Sequence, residues 1–190
     1  MSHFFAYLGR MKHILRWGLM RNTQPENIQE HSLQVAMIGH ALATIRNRHF
    51  QGKVDANEVA VLAVFHEASE VITGDLATPI KYFSPDIRDS YKRLEDIAQN
   101  KILSMLPEEL QDAYRPLLIQ QAGEAHDLMK AADKLCAYLK CLEELKAGNR
   151  EFERAMQTIR HDLDALGMAE VDYFLREFAP SFELTLDELN

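Results

Sequence analysis

Apolar residues recur at helical spacing through almost the whole chain, and this periodicity constrains the fold more than any other feature. Near the C-terminus, Phe152, Met156, Ile159, Leu163 and Leu166 follow one another at intervals of four and three, which places them on one helix face. Glycine and proline are scarce, with eight and six residues, and no long alternation typical of β-strands is present. The sequence therefore predicts an all-α fold.

The same periodicity predicts where the helices lie. We expect them over residues 2–15, from Pro25 to Ile45, and over 57–73, 87–105, 127–146, 152–166 and 171–178, with a short helix beginning at Pro107. The segment GDLATPIKYFSP between the third and fourth helices reads as an ordered loop. The chain has 190 residues, 47% of them hydrophobic, and shows no repeat or linker. A single domain over residues 1–190 is therefore expected.

Charge and cysteine usage narrow the partners and the compartment. The chain carries 21 basic and 29 acidic residues, a net charge of −8, which argues against binding a nucleic acid polymer. No apolar run is long enough to span a membrane, and basic residues interrupt the N-terminal apolar residues, so we expect neither a signal peptide nor a membrane partner. Cys136 and Cys141 read as free thiols, so we expect a cytoplasmic protein.

Titratable residues interrupt the apolar faces of three expected helices. His31 lies four residues before Val35, His66 continues the apolar face of the third helix, and Asp133 follows Met129 by four. Each alone would most often be a core group with a local partner. Three buried ionisable groups without partners would cost several kcal/mol, whereas one divalent cation would satisfy them together. Imidazole and carboxylate ligands suit Mn, Co, Fe or Zn rather than Ca.

Several segments carry a resemblance to a known family. They are RWGLMRN, ENIQEHSLQVAMIGHALA, HEASEVITGDLATPIKYF, DKLCAYLKCLEEL and MAEVDYFLREFAPSFELTLDEL. A histidine, a His-acid doublet and a late aspartate resemble the H…HD…D pattern of HD-domain phosphohydrolases. Over essentially the whole chain, the segments look like the bacterial YfbR-like 5′-deoxynucleotidases. The resemblance implies a compact HD-domain helical bundle, a homodimer, and one divalent ion such as Co or Mn.

The resemblance also implies roles for individual residues. The metal ligands would be His31, His66, Glu67 and Asp133. Arg16 would orient the phosphate, because its planar fork can bond two phosphate oxygens. Trp17 would pack against the sugar and leave no room for a 2′-hydroxyl. The other substrate contacts would come from His31, Glu67, Asp75, Leu76, Ala77, Thr78 and Asp133.

Two acidic residues complete the implied chemistry. Glu70 would position the attacking water, and Asp75 would lie near the leaving O5′ as an acid or hydrogen-bond partner. The implied reaction is attack of a metal-bound water on a deoxyribonucleoside 5′-monophosphate, which releases deoxynucleoside and phosphate. No phosphate-binding glycine loop and no cysteine with an evident base are present, which agrees with attack by water.

The sequence departs from the family pattern at two positions. Glu67 stands where the family has aspartate, and Ala77 where it usually has proline. The extra methylene of Glu67 leaves three outcomes open: ligation with altered metal preference, bidentate ligation, or a carboxylate that misses the metal. The last outcome motivates an alternative function, a nucleotide-binding or regulatory HD protein with weak or no turnover. An HD phosphohydrolase of cyclic or triphosphate nucleotides is a third reading.

Overall fold

The computed structural model describes residues 1–119 and 121–189, and these residues form a helical bundle. The α-helices are α1 (Phe4–Leu8), α2 (Ile28–His49), α3 (Ala56–Phe65), α4 (Glu70–Thr73), α5 (Thr78–Lys81), α6 (Pro85–Leu103), α7 (Glu108–Leu118), α8 (Glu124–Lys146), α9 (Glu153–Ala165) and α10 (Ala169–Glu177). Short 3-10 helices cover Met11–His13, Arg150–Phe152, Ala179–Glu183 and Leu186–Leu189. No β-strand occurs in the described part of the chain, so the all-α prediction is confirmed.

The main core lies where α2, α3 and α8 pack against one another. Leu42, Val59 and Leu135 are fully buried there, and each such side chain contributes about 1.5–3 kcal/mol through burial. Gly39 lets α2 and α3 approach closely, because a Cβ at this position would lie 3.0 Å from Cγ1 of Val59. The three helices that carry the predicted ligand residues or lead up to them are therefore held at fixed relative positions.

A capping box determines where α2 begins. The Asn27 side chain accepts hydrogen bonds from the backbone N–H groups of Gln29 and Glu30, at 3.0 Å each. Glu30 accepts in return from the Asn27 backbone N–H. The helix therefore begins at Ile28, three residues after the expected start at Pro25, and His31 lies in its first turns.

The expected helix over residues 2–15 is wrong in its second half. It ends at Leu8, and Gly9 follows as its C-cap residue. A 3-10 turn follows over Met11–His13. The chain then runs extended, with Leu15 paired to Asn27 in an isolated antiparallel bridge. This pairing captures backbone groups that a continuous helix would have used for itself.

Two further expectations in the third-helix region are corrected. The expected helix over 57–73 ends at Phe65, and the chain resumes as the single turn α4. The His66 ring lies 2.6 Å from the carbonyl oxygen of Ala63 and competes for a group that a continuing helix would use. The expected loop GDLATPIKYFSP contains the one-turn helix α5, which begins at Thr78 and tolerates Pro79 as its second residue because a first-turn residue needs no N–H partner.

A second hydrophobic cluster joins α1 to α6 and α7 through Phe4, Ile102 and Leu118.

The expectation of one domain over residues 1–190 stays a prediction. Among residues 1–119 and 121–189, no helix combines the length and apolar character needed to cross a lipid bilayer.

Candidate active site

Four side chains from three parts of the chain converge at the end of the main core. His31 comes from α2, His66 and Glu67 from the turn after α3, and Asp133 from α8. Each offers one ligand atom, and these atoms all lie within 4.8 Å of one another. Nε2 of His31 lies 2.9 Å from Asp133 and 3.7 Å from Glu67. This spacing leaves room for one ion between imidazole and carboxylate ligands.

The His66 ring has one nitrogen committed to the backbone and one that faces the cluster. Nδ1 lies 2.6 Å from the carbonyl oxygen of Ala63, and because a carbonyl only accepts, Nδ1 must carry the proton. Burial lowers the pKa of His66 and favours the neutral ring, so Nε2 carries a lone pair. This nitrogen is buried and without a hydrogen-bond partner among the described residues. A buried lone pair of this kind fits a metal ligand whose orientation is set by its other nitrogen.

Glu67 reaches the cluster despite its extra methylene. Its Oε1 lies 3.8 Å from Nε2 of His66 and also contacts the Arg16 guanidinium. Its Oε2 is buried and lacks a hydrogen-bond partner among the residues described. The carboxylate is therefore held between a cation and the two imidazoles rather than turned away from them.

His31 and Asp133 each stabilise the charged form of the other. Burial by itself lowers the pKa of His31, but the neighbouring carboxylates of Asp133 and Glu26 outweigh it and raise the pKa to about 9. Burial raises the pKa of Asp133, and the hydrogen bond from His31 overrides this and holds it well below the usual range. The raised pKa favours the imidazolium form of His31 in the metal-free chain, and a metal bound at this ring would displace its proton.

Arg16 and Trp17 lie in the connection between the 3-10 turn Met11–His13 and α2. Trp17 adopts a left-handed backbone conformation, with φ of 59°, which is uncommon for a residue with a side chain. Its ring packs against Phe152 at a centroid distance of 5.3 Å. The Arg16 guanidinium spans the gap between Glu67 and Glu26, with Nε 3.1 Å from the latter.

Glu26 is a site residue that the sequence reasoning missed. Its Oε2 accepts hydrogen bonds from Nε of Arg16 and Nε1 of Trp17, both at 3.1 Å, and its Oε1 lies 3.7 Å from Nδ1 of His31. These partners come together only because the bridge at Leu15 folds the chain back on itself. The sequence offers only a weak indication of Glu26, since it shows an acidic residue just before the helix that carries the predicted ligand His31.

A cavity of about 1280 Å³ opens beside the cluster. Six of the predicted residues line it: Arg16, Trp17, Asp75, Ala77, Thr78 and Asp133. Leu76, predicted as a substrate contact, is half-buried and is not among the described residues that line this cavity. Apolar side chains also line it, among them Ile159, Leu166 and Met168.

A hydrogen bond from α6 holds the loop that carries Asp75. Gly74 has a φ of +72°, a conformation that favours glycine, and its carbonyl oxygen accepts a hydrogen bond from the Tyr91 hydroxyl at 3.3 Å. Burial raises the pKa of Asp75. Burial, reinforced by Glu67 and Asp75, also raises the pKa of Glu70 to about 9.

Replacing Glu70 by glutamine should stabilise the metal-free protein at neutral pH. The Glu70 pKa rises from its ordinary value of 4.5 to about 9 on folding, so folding takes up a proton between these pH values and the parent loses stability as pH rises. Glutamine has no proton to take up, and the gain at pH 7 should be on the order of 1 kcal/mol or more. Urea denaturation with EDTA at pH 5, 7 and 9 measures the free energy of unfolding of the parent and of Glu70→Gln. A difference between the two that does not grow with pH would contradict the prediction.

Neither cysteine is a nucleophile in this fold. Both thiols are buried and unpaired by any disulfide, and burial raises the pKa of Cys141 to about 12 and that of Cys136 well above its usual value. Neither thiol forms a thiolate at neutral pH, so neither competes with water as the attacking group.

Comparison with known proteins decides the family. A family profile described as "5'-deoxynucleotidase YfbR-like" matches residues 3–182. The chain belongs to the YfbR-like 5′-deoxynucleotidase family. It is 56% identical over its full length to the 5′-deoxynucleotidase of Cronobacter sakazakii and to 5′-deoxynucleotidase YfbR of Escherichia coli, covering 96% of each. The predicted family and enzyme class are thereby confirmed, and the regulatory alternative is not favoured.

Solved structures place this YfbR-like chain in the HD-domain fold. An HD-domain phosphohydrolase from Listeria innocua superposes with a TM-score of 0.81 at 24% identity, over 95% of this chain and 88% of that one. The cyanophage S-2L HD phosphohydrolase DatZ, solved with dA and one catalytic Zn²⁺ ion, gives 0.65 at 22% identity, over 95% and 96%. At such identities these likenesses show the fold alone, and the predicted HD-domain bundle is confirmed.

Proposed function

We propose that the chain hydrolyses deoxyribonucleoside 5′-monophosphates to deoxynucleosides and phosphate with one divalent ion, Co, Mn or a similar transition metal, held by His31, His66, Glu67 and Asp133. The observation that carries the proposal is the bare lone pair on Nε2 of His66, buried beside two carboxylates and a second imidazole. The family supports the substrate class, since its relatives are named 5′-deoxynucleotidases.

Arg16 binds the phosphate in this proposal. Its guanidinium lines the cavity beside the four-residue cluster, and Glu67 and Glu26 hold it from either side. A planar fork fixed in this way offsets the negative charge of the phosphate and orients it for in-line attack. His31, Glu67 and Asp133 contribute further substrate contacts near the cluster.

The remaining chemistry is divided between the ion and two carboxyl groups. A divalent ion held at the cluster would supply a water nucleophile near neutral pH and draw charge from a phosphate oxygen. Glu70 orients the attacking water. Asp75 protonates or hydrogen-bonds the leaving O5′, and its raised pKa favours the protonated form that this role requires. Leu76, Ala77 and Thr78 complete the loop beside the nucleotide.

Phosphate release with paired substrates tests this function. With Co or Mn, the purified protein should release phosphate from dAMP and dTMP, and much less from AMP. Glu67→Asp should stay within about tenfold of the parent, because the carboxylate already reaches the cluster. If only Glu67→Asp turned over, the regulatory alternative would hold; if no metal supported release from any nucleoside monophosphate, the proposal would fail.

Replacing Trp17 by alanine should weaken sugar selectivity. The indole lines the cavity and is pinned between Phe152 and Glu26, so it can exclude a 2′-hydroxyl by occupying its space. Its removal should lower the deoxy-to-ribo ratio of kcat/KM by about tenfold or more. Trp17→Phe, which keeps a ring, is the matched control and should retain more of the preference. An unchanged ratio in the alanine variant would remove Trp17 from this role.

We also propose that the protein works as a cytoplasmic homodimer and binds neither nucleic acid polymers nor membranes. The resemblance to the family motivates the dimer, and Leu33 and Met37, exposed one turn apart on α2, are apolar side chains that a partner copy could cover. Light scattering measures the assembly, and a monomeric mass at working concentration would exclude the dimer.

A further inference from the structure

One carboxylate outside the four-residue cluster, that of Glu26, contacts both the proposed phosphate-binding Arg16 and the proposed sugar-contacting Trp17. We infer that Glu26 is a positioning residue that sets the phosphate-binding Arg16 and the sugar-contacting Trp17 as a unit. The inference rests on the proposed function for the roles of these two residues. Its geometric content stands independently of that function.

The contacts of Glu26 fix the orientation of both neighbouring side chains. Oε2 accepts from Nε of Arg16 and from Nε1 of Trp17, at 3.1 Å each, while the Glu26 backbone carbonyl accepts from the Arg16 backbone N–H at 2.9 Å. The Glu26 side chain is only 13% exposed. A shared oxygen means that neither the guanidinium nor the indole can turn without losing this acceptor or moving the other group.

The backbone at Trp17 explains why such an anchor is needed. Its φ of 59° is a conformation that costs free energy for a residue with a Cβ. Ring packing against Phe152 holds the face of the indole, and the hydrogen bond from Nε1 to Glu26 fixes the rotation of the ring about that contact. Without Glu26, the strained residue can relax and swing the indole along the cavity wall.

A carboxylate suits this position better than an amide. Two N–H donors face Oε2, and a ring nitrogen of His31 lies 3.7 Å from Oε1, beyond hydrogen-bond distance but close enough to feel its charge. Glutamine could accept from the two donors with its oxygen, but its NH2 group would then face His31, and the negative charge beside Arg16 would be lost. Glu26→Gln should therefore keep part of the interaction with Arg16 and Trp17, and Glu26→Ala should remove all of the side-chain interaction.

Trp17 is the only tryptophan in the sequence, so its fluorescence reports on the inference without catalysis. In metal-free protein, Glu26→Ala should shift the emission to the red and increase acrylamide quenching, with Glu26→Gln between it and the parent. Glu30→Ala is the matched control. The Glu30 carboxylate bonds the Asn27 backbone in the nearby cap of α2 rather than Arg16 or Trp17, so the emission of this variant should match the parent's.

Kinetics supply the second readout. Glu26→Ala should lower kcat/KM for dAMP by about 10- to 100-fold, as removal of an outer-shell partner does, and should also lower the deoxy-to-ribo ratio, because the indole is no longer fixed. A purely structural role would leave that ratio at its parent value, and a Glu26→Ala variant with the parent's ratio or the parent's emission would overturn the inference. If the parent hydrolysed no nucleotide, the proposed function would fail while the emission shift still decided the role of Glu26.

Discussion

Replacing Arg16 by alanine should lower kcat/KM for a deoxyribonucleoside 5′-monophosphate by about 10³-fold or more. An arginine placed on a transferring phosphoryl group is worth about 10³–10⁵ in rate. Burial by itself lowers the pKa of Arg16, but Glu67, Asp133 and Glu26 hold it above its usual value, so the guanidinium is charged at every working pH. The measurement is initial-rate kinetics with dAMP at saturating Mn or Co.

Arg16→Lys is the matched control for this loss. Lysine keeps the charge but cannot bond Glu26 and two phosphate oxygens through one planar group. It should therefore recover part of the rate and leave a substantial deficit. An alanine variant within tenfold of the parent would show that Arg16 does not bind the phosphate, whatever its contact with Glu67.

Much of the helical framework could be predicted because apolar periodicity is a local property. The inward positions of His31 on α2 and Asp133 on α8 follow from counting along the chain. The end of α3 does not, because it depends on a competition between the His66 ring and a backbone N–H for the carbonyl of Ala63. Helical periodicity continues through residues 66–73, and nothing in it shows that this carbonyl is taken by a side chain.

In the site, too, residues could be predicted where a local pattern marks them and not where their position depends on contacts between distant segments. His31, His66 and Asp133 were singled out by their positions on apolar helix faces, and the resemblance added Glu67. The structure places the ligand atoms of all four together, while their roles stay predictions. Glu26 was missed because its position depends on the pairing of Leu15 with Asn27, which periodicity does not describe. The consequence of Glu67 for geometry was also open, since only the folded chain shows that its carboxylate meets Arg16.

Stability should depend most sharply on the buried ion pair between Lys140 and Glu144 on α8. The Glu144 carboxylate accepts hydrogen bonds from the Thr23 backbone and hydroxyl at 2.8 and 2.7 Å, from Lys140 at 2.5 Å and from Asn149 at 2.8 Å. Glu144 is 1% exposed and Lys140 6%. This network fastens the segment just before Glu26 to α8, so it supports the position of Glu26.

Replacing Glu144 by alanine should lower the free energy of unfolding by about 3–5 kcal/mol, because it leaves the Lys140 ammonium buried and without its carboxylate. Burial alone would raise the pKa of Glu144, but Lys140 and the Thr23 and Asn149 donors hold it down, to about 2. Its contribution is therefore present above the unfolded pKa and is lost as pH falls toward 2. In urea denaturation, the gap between parent and variant should narrow as pH falls from about 5 to about 2.

The double variant Glu144→Leu with Lys140→Met separates the cost of an unpaired charge from the worth of the pair. Removing both charges avoids the buried ammonium, so the double variant should be clearly more stable than Glu144→Ala, even though the segment at Thr23 loses its acceptor. If the double variant were as unstable as the single one, the hydrogen bonds to Thr23 and Asn149, and not the charge pair, would carry the stability. A folded double variant still lacks the hydrogen bonds from Thr23 and Asn149, so the segment that leads to Glu26 should be looser than in the parent. Trp17 emission should therefore shift to the red even if the free energy of unfolding returns to the parent's value.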